Sequence, residues 1–195
     1  MGPEEGTENV KTSHHILPVF MHHFGCAVPS YESLEVIKQI ASGDKRTGRE
    51  KRVILEMGSG NGYWTYMLRR MAVEVTAVDN EQSAWRTMWI GDTIIADGEK
   101  YLKENKGCRT AVLLMVYPIV GADFTAKILS AYIGDTVVVA GTQNKNGYTA
   151  FKDRTIGEYM EAERPEFEKI VQIPLPSFPG KDEALFVFER NSGKD

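Results

Sequence analysis

Val53-Ile54-Leu55-Glu56-Met57-Gly58-Ser59-Gly60-Asn61-Gly62 joins an apolar run to three alternating glycines, and Asp79 closes the next apolar run. The first run is short and near-continuous in its apolar residues, as a parallel strand buried on both faces requires. Gly58 and Gly60 let the chain turn sharply and approach a ligand closely, because no Cβ intervenes. A helix beginning there aims its first amides at whatever occupies the turn. The spacing is G-x-G-x-G, and Tyr63 stands where a dinucleotide fingerprint wants its third glycine. With Trp64 behind it, Tyr63 is too bulky for the close helix–strand packing of that fingerprint. Glu56, just ahead of the turn, suits a cationic group better than a pyrophosphate.

Outward from this stretch, strands alternate with helices. Residues 52–57, 73–78, 93–96, 111–116 and 136–140 read as strands, and 62–71 and 98–105 as helices. Asp123 is placed to cap a further helix that turns Phe124, Ile128 and Leu129 inward. A helix over 155–162 leads to strands at 167–173 and 184–189, joined by a loop with three prolines and a glycine. That loop is too short for a crossover helix, so the two strands should pair antiparallel. The pattern predicts a three-layer, doubly wound α/β fold with a mostly parallel seven-stranded sheet and an antiparallel last strand. Upstream, Ser30 reads as an N-cap, Leu34, Ile37 and Ile40 as an apolar face, and Ser42-Gly43 as the helix end. Pro18 argues against one uninterrupted helix through the histidine-rich segment 13–24.

The bulk composition narrows the classes. A formal net charge of −4 over 195 residues lacks the broad positive field that nucleic acid binding needs. Local basic clusters at Lys45-Arg46, Arg49 to Arg52 and Arg69-Arg70 read as solvated loops or helix ends. Cys26 and Cys108 lie far apart, which suits reduced thiols in a cytoplasmic protein. No run approaches the roughly 18 apolar residues of a membrane span, so no membrane partner is expected.

Two more carboxylates accompany the turn. Asp79 ends its strand where an acidic side chain can accept hydrogen bonds from ribose hydroxyls, or cap a helix after it. Asp97, before Gly98, can meet an adenine amino group or cap the next helix. In order, Glu56-Met57-Gly58-Ser59-Gly60-Asn61-Gly62, Asp79 and Ala96-Asp97-Gly98 resemble the first three motifs of class I S-adenosylmethionine-dependent methyltransferases. The chain also resembles a group of small methyltransferase-like proteins through 26–30, Tyr63-Trp64, 173–176 and 178–180. The resemblance implies S-adenosyl-L-methionine as cofactor. Glu56 and Gly58 would face its methionine part, Asp79 the ribose, and Asp97 with Gly98 the adenine; Ser59, Gly60, Gly62, Tyr63 and Asn80 complete the expected site. Residues 1–12 read as a disordered tail and 13–195 as one domain, in which the resemblance implies a helical lid at 13–51 and a Rossmann-like core at 52–195.

The fourth motif thins out. The strand ends Leu114-Met115-Val116-Tyr117-Pro118, without the amide or carboxylate that enzymes methylating exocyclic amines carry there, and without acidic metal ligands. Transfer to a nucleic acid base or catechol is disfavoured. Tyr117 is left either to line the acceptor pocket as a candidate catalytic residue or simply to pack at the strand end. His14-His15 and His22-His23 offer no third ligand at fixed geometry, so no metal is expected. His22 or His23 could serve as a base for a hydroxyl or thiol acceptor. The amides of Gln143 to Tyr148 are expected to face the acceptor region, or simply to form an Asn-Gly turn. Trp85 and Trp89 either cover adenine or fill core. The sequence therefore reads as a methyltransferase with a small-molecule acceptor. A cofactor-binding subunit without transfer activity, a protein methyltransferase and a nicotinamide-dependent reductase stand as alternatives, and a protein partner or homo-oligomer stays open.

Overall fold

The apolar run becomes β1 (Ile54–Met57), buried along its whole length. The computed structural model describes residues 10–43, 48–82, 86–121, 123–145, 149–179 and 181–191. β1 lies between β2 (Val75–Asp79) and β4 (Val112–Val116), parallel to both. β3 (Ile94–Ile95) extends the sheet beyond β2, and β5 (Thr136–Thr142) extends it beyond β4. β7 (Glu183–Arg190) inserts between β5 and β6 (Phe167–Pro174), antiparallel to each. The seven-stranded order is β3-β2-β1-β4-β5-β7-β6. The chain leaves β1 toward β2 but reaches β4 on its other side, so the order reverses between β1 and β4. Ligands of open α/β sheets bind at the carboxyl ends of strands flanking such a reversal.

Alternate strand residues face opposite layers. Ile54, Leu114, Val138 and Leu185 pack with Ile37 of α2 (Tyr31–Ser42) and Trp64 and Leu68 of α3 (Tyr63–Arg70). Leu55, Leu113, Val139 and Phe186 pack with Leu102 of α4 (Gly98–Glu104), Ile128 of α5 (Phe124–Ala131) and Met160 of α6 (Ile156–Glu163). Tyr132, after α5, is buried and ties this layer to the amino ends of β4 and β5: its hydroxyl donates toward the carbonyls of Ala111 and Thr136. Between β2 and β3 the described residues form no helix, which leaves Ile94 and Ile95 exposed.

Helix ends obey the local chemistry in most places. Ser30 caps α2 by accepting the Ser33 amide, and Thr155 with Glu158 forms a capping box on α6. Asp123 does not cap α5. Its backbone is left-handed (φ 53°), and its side chain makes no capping hydrogen bond. The expected break at Pro18 is also absent, because α1 (Val10–Phe24) runs straight through it. A proline removes one amide donor and crowds the carbonyl four residues back; Pro18 is exposed, so solvent can take that carbonyl. The helix starts at Val10, inside the stretch expected as tail.

Candidate active site

A cavity of about 950 Å³ opens at the carboxyl ends of the central strands. The glycine turn Gly58 to Asn61 forms its floor, with Asp79-Asn80, Ala96 to Gly98 and Val116 to Val120 around it. Gly58, Gly60 and Gly62 all have positive φ, at 72°, 58° and 75°. A Cβ on Gly58 would stand 3.4 Å from Phe124 Cζ, an aromatic residue of the cavity wall. Gly62 plays a different part from the one expected. It is buried against Ile90, whose Cγ1 a Cβ would approach to 2.4 Å, and it does not line the cavity. Gly98 is equally tight: a Cβ there would meet Ile128 Cδ1 at 2.7 Å, so this glycine lets α4 settle on α5 as well as bordering the cavity.

The three carboxylates are held in three ways. Asp79 Oδ2 accepts the Gly60 amide at 2.7 Å, and Oδ1 accepts the Glu81 amide at 3.1 Å. Its carboxylate is thus fixed to the glycine turn rather than capping a helix. Asp97 does cap: Oδ1 accepts the Lys100 amide at 2.8 Å while the residue also borders the cavity. Glu56 is 1% exposed and accepts a hydrogen bond from the Thr65 hydroxyl of α3. Burial pushes its carboxyl up to about 7; hydrogen bonds from Thr65 and the charge of Arg69 oppose this, and the Asp79 charge adds to it. Ser59 Oγ, which also borders the cavity, is buried without a hydrogen-bond partner among the described residues.

The amino-terminal segment closes one side. Asn61 Nδ2 donates to the His23 carbonyl at 2.9 Å, and its Oδ1 accepts the Tyr63 amide. Tyr63 borders the cavity and packs its ring on Phe24 and Trp89, at 5.2 Å and 5.0 Å between centroids. Trp89 therefore belongs to an aromatic cluster that seats α1, and Trp85 lies outside the described residues. Phe24, Gly25 and Cys26 reach the cavity, but His22 and His23 do not. Both histidines are exposed, and His23 Nδ1 bonds Thr87 Oγ1 at 2.8 Å. The side chains of His14 and His15 lie outside the described residues.

Tyr117 does line the cavity, with a left-handed backbone at φ 50°. Its hydroxyl accepts from Lys181 Nζ at 2.7 Å. The amides expected at the acceptor region are used elsewhere: Gln143 and Asn144 both donate to the Asp182 carboxylate, each at 2.6 Å. Residues 146–148 lie outside the described residues. The sequence reading gave no site role to Cys26, Arg86 or Phe124, which line the cavity, or to Lys181, which bonds the cavity residue Tyr117. Each comes from a loop or helix end, and only the folded sheet brings them together.

No family model matches this sequence, and no curated protein matches it. Solved structures do resemble it. Magnesium protoporphyrin IX methyltransferase (ChlM) from Synechocystis PCC 6803, with bound SAM, aligns with a TM-score of 0.54 at 10% identity, over 94% of this chain and 80% of that one. A structure concerning conversion of a disulfide bond into a thioacetal group during echinomycin biosynthesis gives 0.53 at 11% identity, over 93% and 94%. Streptococcus pneumoniae Sp1610, provisionally described as a tRNA (m1A22) methyltransferase, gives 0.53 at 12% identity, over 86% and 73%. At such identities the likeness is one of fold. The chain has the Rossmann-like fold of class I S-adenosylmethionine-dependent methyltransferases.

Proposed function

We propose that this chain binds S-adenosyl-L-methionine and transfers its methyl group to a small-molecule acceptor. The observation that carries the reading is the Asp79 carboxylate held on the Gly60 amide. It sets an acid suited to ribose hydroxyls beside a glycine turn whose Gly58 and Gly60 bring no Cβ of their own. Other residues fit the same cofactor. Ser59 Oγ offers an unpaired donor, Asp97 and Gly98 border the adenine side, and Glu56 offers a buried acid for a cationic group. A nicotinamide dinucleotide fits less well, because Glu56 and Tyr63 lie where a pyrophosphate would need donors and a small residue.

When bound, the cofactor supplies an electrophilic methyl group on a sulfonium. The protein's task is then approach and alignment more than covalent chemistry. Phe124, Tyr117 and the apolar loop at Ile119-Val120 would enclose the acceptor and exclude water. No base is assigned to His22 or His23. A small acceptor accords with the pairing of Arg49, Arg52 and Arg69, which bond Glu189, Asp135 and Asp92 rather than presenting free cations.

The test is thermal unfolding with S-adenosylmethionine, S-adenosylhomocysteine and NAD compared side by side. A ligand at about a hundred times its dissociation constant adds roughly 2.7 kcal/mol. Stabilisation by both adenosyl compounds is expected. No shift with either, or a shift with NAD alone, overturns the reading.

A further inference from the structure

The cavity is also lined by groups that the cofactor reading leaves unused. Cys26 comes from the segment before α2, Arg86 from the β2–β3 connection, and Tyr117 from the end of β4. Lys181, from the β6–β7 loop, stands behind Tyr117 with its ammonium 2.7 Å from the hydroxyl. That bond holds the Lys181 pKa above its ordinary value against the opposing effect of burial. Burial pushes the Cys26 thiol up, while the charges of Arg86 and Lys181 pull it down.

Neither cation has a carboxylate within ion-pair distance among the described residues, whereas Arg49, Arg52, Arg69, Arg154 and Arg164 each have one. Glu183 acts on both Lys181 and Cys26 through its charge, from outside that distance. Tyr117 sharpens the picture. Its hydroxyl oxygen already accepts from the ammonium, so its one proton is free to donate, and no described residue takes it. A donor polarised by a neighbouring ammonium bonds an anion more strongly than a lone phenol does. The ring is also held at a cost. A left-handed backbone is uncommon for an aromatic residue, and here it is pinned by the Tyr117 amide donating to Ala140 at 2.7 Å.

We propose that the methyl acceptor carries a carboxylate, and that this carboxylate docks against the Tyr117 hydroxyl, backed by the Lys181 ammonium, in the cavity that Cys26 also lines. One ammonium and one phenol, with the Glu183 charge nearby, favour a monoanion over a phosphate dianion. The word acceptor rests on the methyl-transfer reading, but the anion site stands without it.

Cys26 supplies the reporter. Iodoacetate carries a carboxylate and iodoacetamide does not, yet both react with the same thiolate, so their rate ratio cancels the thiol's own reactivity. Peptide mapping by mass spectrometry reads Cys26 and Cys108 in one sample. The iodoacetate-to-iodoacetamide ratio at Cys26 should exceed that at Cys108 by about tenfold, the size of one nearby charge at an effective dielectric between water and protein interior. Lys181→Met should bring it down to the Cys108 value. Benzoate should slow iodoacetamide at Cys26, and benzyl alcohol should not. Saturation-transfer NMR with benzoate and benzyl alcohol gives the same comparison if the thiol reacts too slowly. Equal ratios at the two cysteines, or a ratio unchanged in Lys181→Met, overturn the anion site, and stronger protection by inorganic phosphate than by benzoate overturns the carboxylate. Calorimetry separates the two readings. Lys181→Met should keep S-adenosylhomocysteine affinity within about twofold, and a large loss would place Lys181 in the cofactor site instead. Failure of the wild type to bind S-adenosylhomocysteine overturns methyl transfer while leaving the cysteine ratios to decide the anion site.

Discussion

Glu56 makes the stability of this protein depend on pH in a direction opposite to that of most acids. Its carboxyl is raised from the ordinary 4.5 to about 7, with burial as the largest cause. That difference opposes ionisation in the folded state by about 3.4 kcal/mol. Between the two pKa values the folded protein holds a proton that the unfolded chain has released. Stability contributed by the neutral form is therefore full below about 4.5 and falls as pH rises to about 7, where the folded carboxyl also ionises. Between pH 5 and pH 8 the loss from this one group comes to about 2.5 kcal/mol. Glu56→Gln keeps an oxygen to accept the Thr65 hydroxyl but cannot ionise. Urea unfolding of both proteins, followed by tryptophan fluorescence from pH 5 to pH 8, measures the difference. Wild type should lose about 2.5 kcal/mol relative to Glu56→Gln across that range. Groups common to both proteins cancel in the comparison. Parallel stability profiles would show that Glu56 titrates normally, and the electrostatic account of the buried acid would fail. On the proposed function, a cation bound against Glu56 restores its ionised form, so ligand binding below pH 7 should release a proton, measurable by calorimetry in buffers of different ionisation enthalpy.

Three further outcomes are expected. Asp79→Ala should weaken S-adenosylhomocysteine binding by about 1.5–3 kcal/mol through loss of charged hydrogen-bond acceptors, and unchanged affinity by calorimetry would reduce Asp79 to a tie for the Gly60 amide. Gly62→Ala sets a Cβ 2.4 Å from Ile90 Cγ1 at a positive φ; a cost above about 1 kcal/mol is expected in urea unfolding, and no cost would mean the α3 start relaxes freely. Tyr132→Phe strips the hydroxyl that serves the Ala111 and Thr136 carbonyls, which should destabilise the protein by about 1–3 kcal/mol with cofactor affinity unchanged.

Local chemistry made much of the fold legible. The Ser30 cap, the glycine turn and the strand ending at Asp79 depend on neighbours within a few residues, and all three form as the pattern implies. Pro18 misled because a helix-breaking preference is a local penalty, and an exposed face with tertiary contacts at Phe24 outweighs it. Asp123 misled likewise, since cap preference does not fix backbone geometry at a cavity rim. His22 and His23 sit in the right segment, yet helix phase turns both toward solvent while Phe24 and Cys26 reach the cavity.

The sequence by itself determined the strand, the glycine turn and the acids Glu56, Asp79 and Asp97, because spacing along one chain sets their geometry. Only the tertiary structure decided what each acid does: Asp79 fixed to the turn, Asp97 capping α4, Glu56 buried and reluctant to ionise. It alone brought Tyr117 and Lys181, 64 residues apart, within a hydrogen bond. Contacts of that range are set by the order of strands in the sheet, and no local pattern encodes that order.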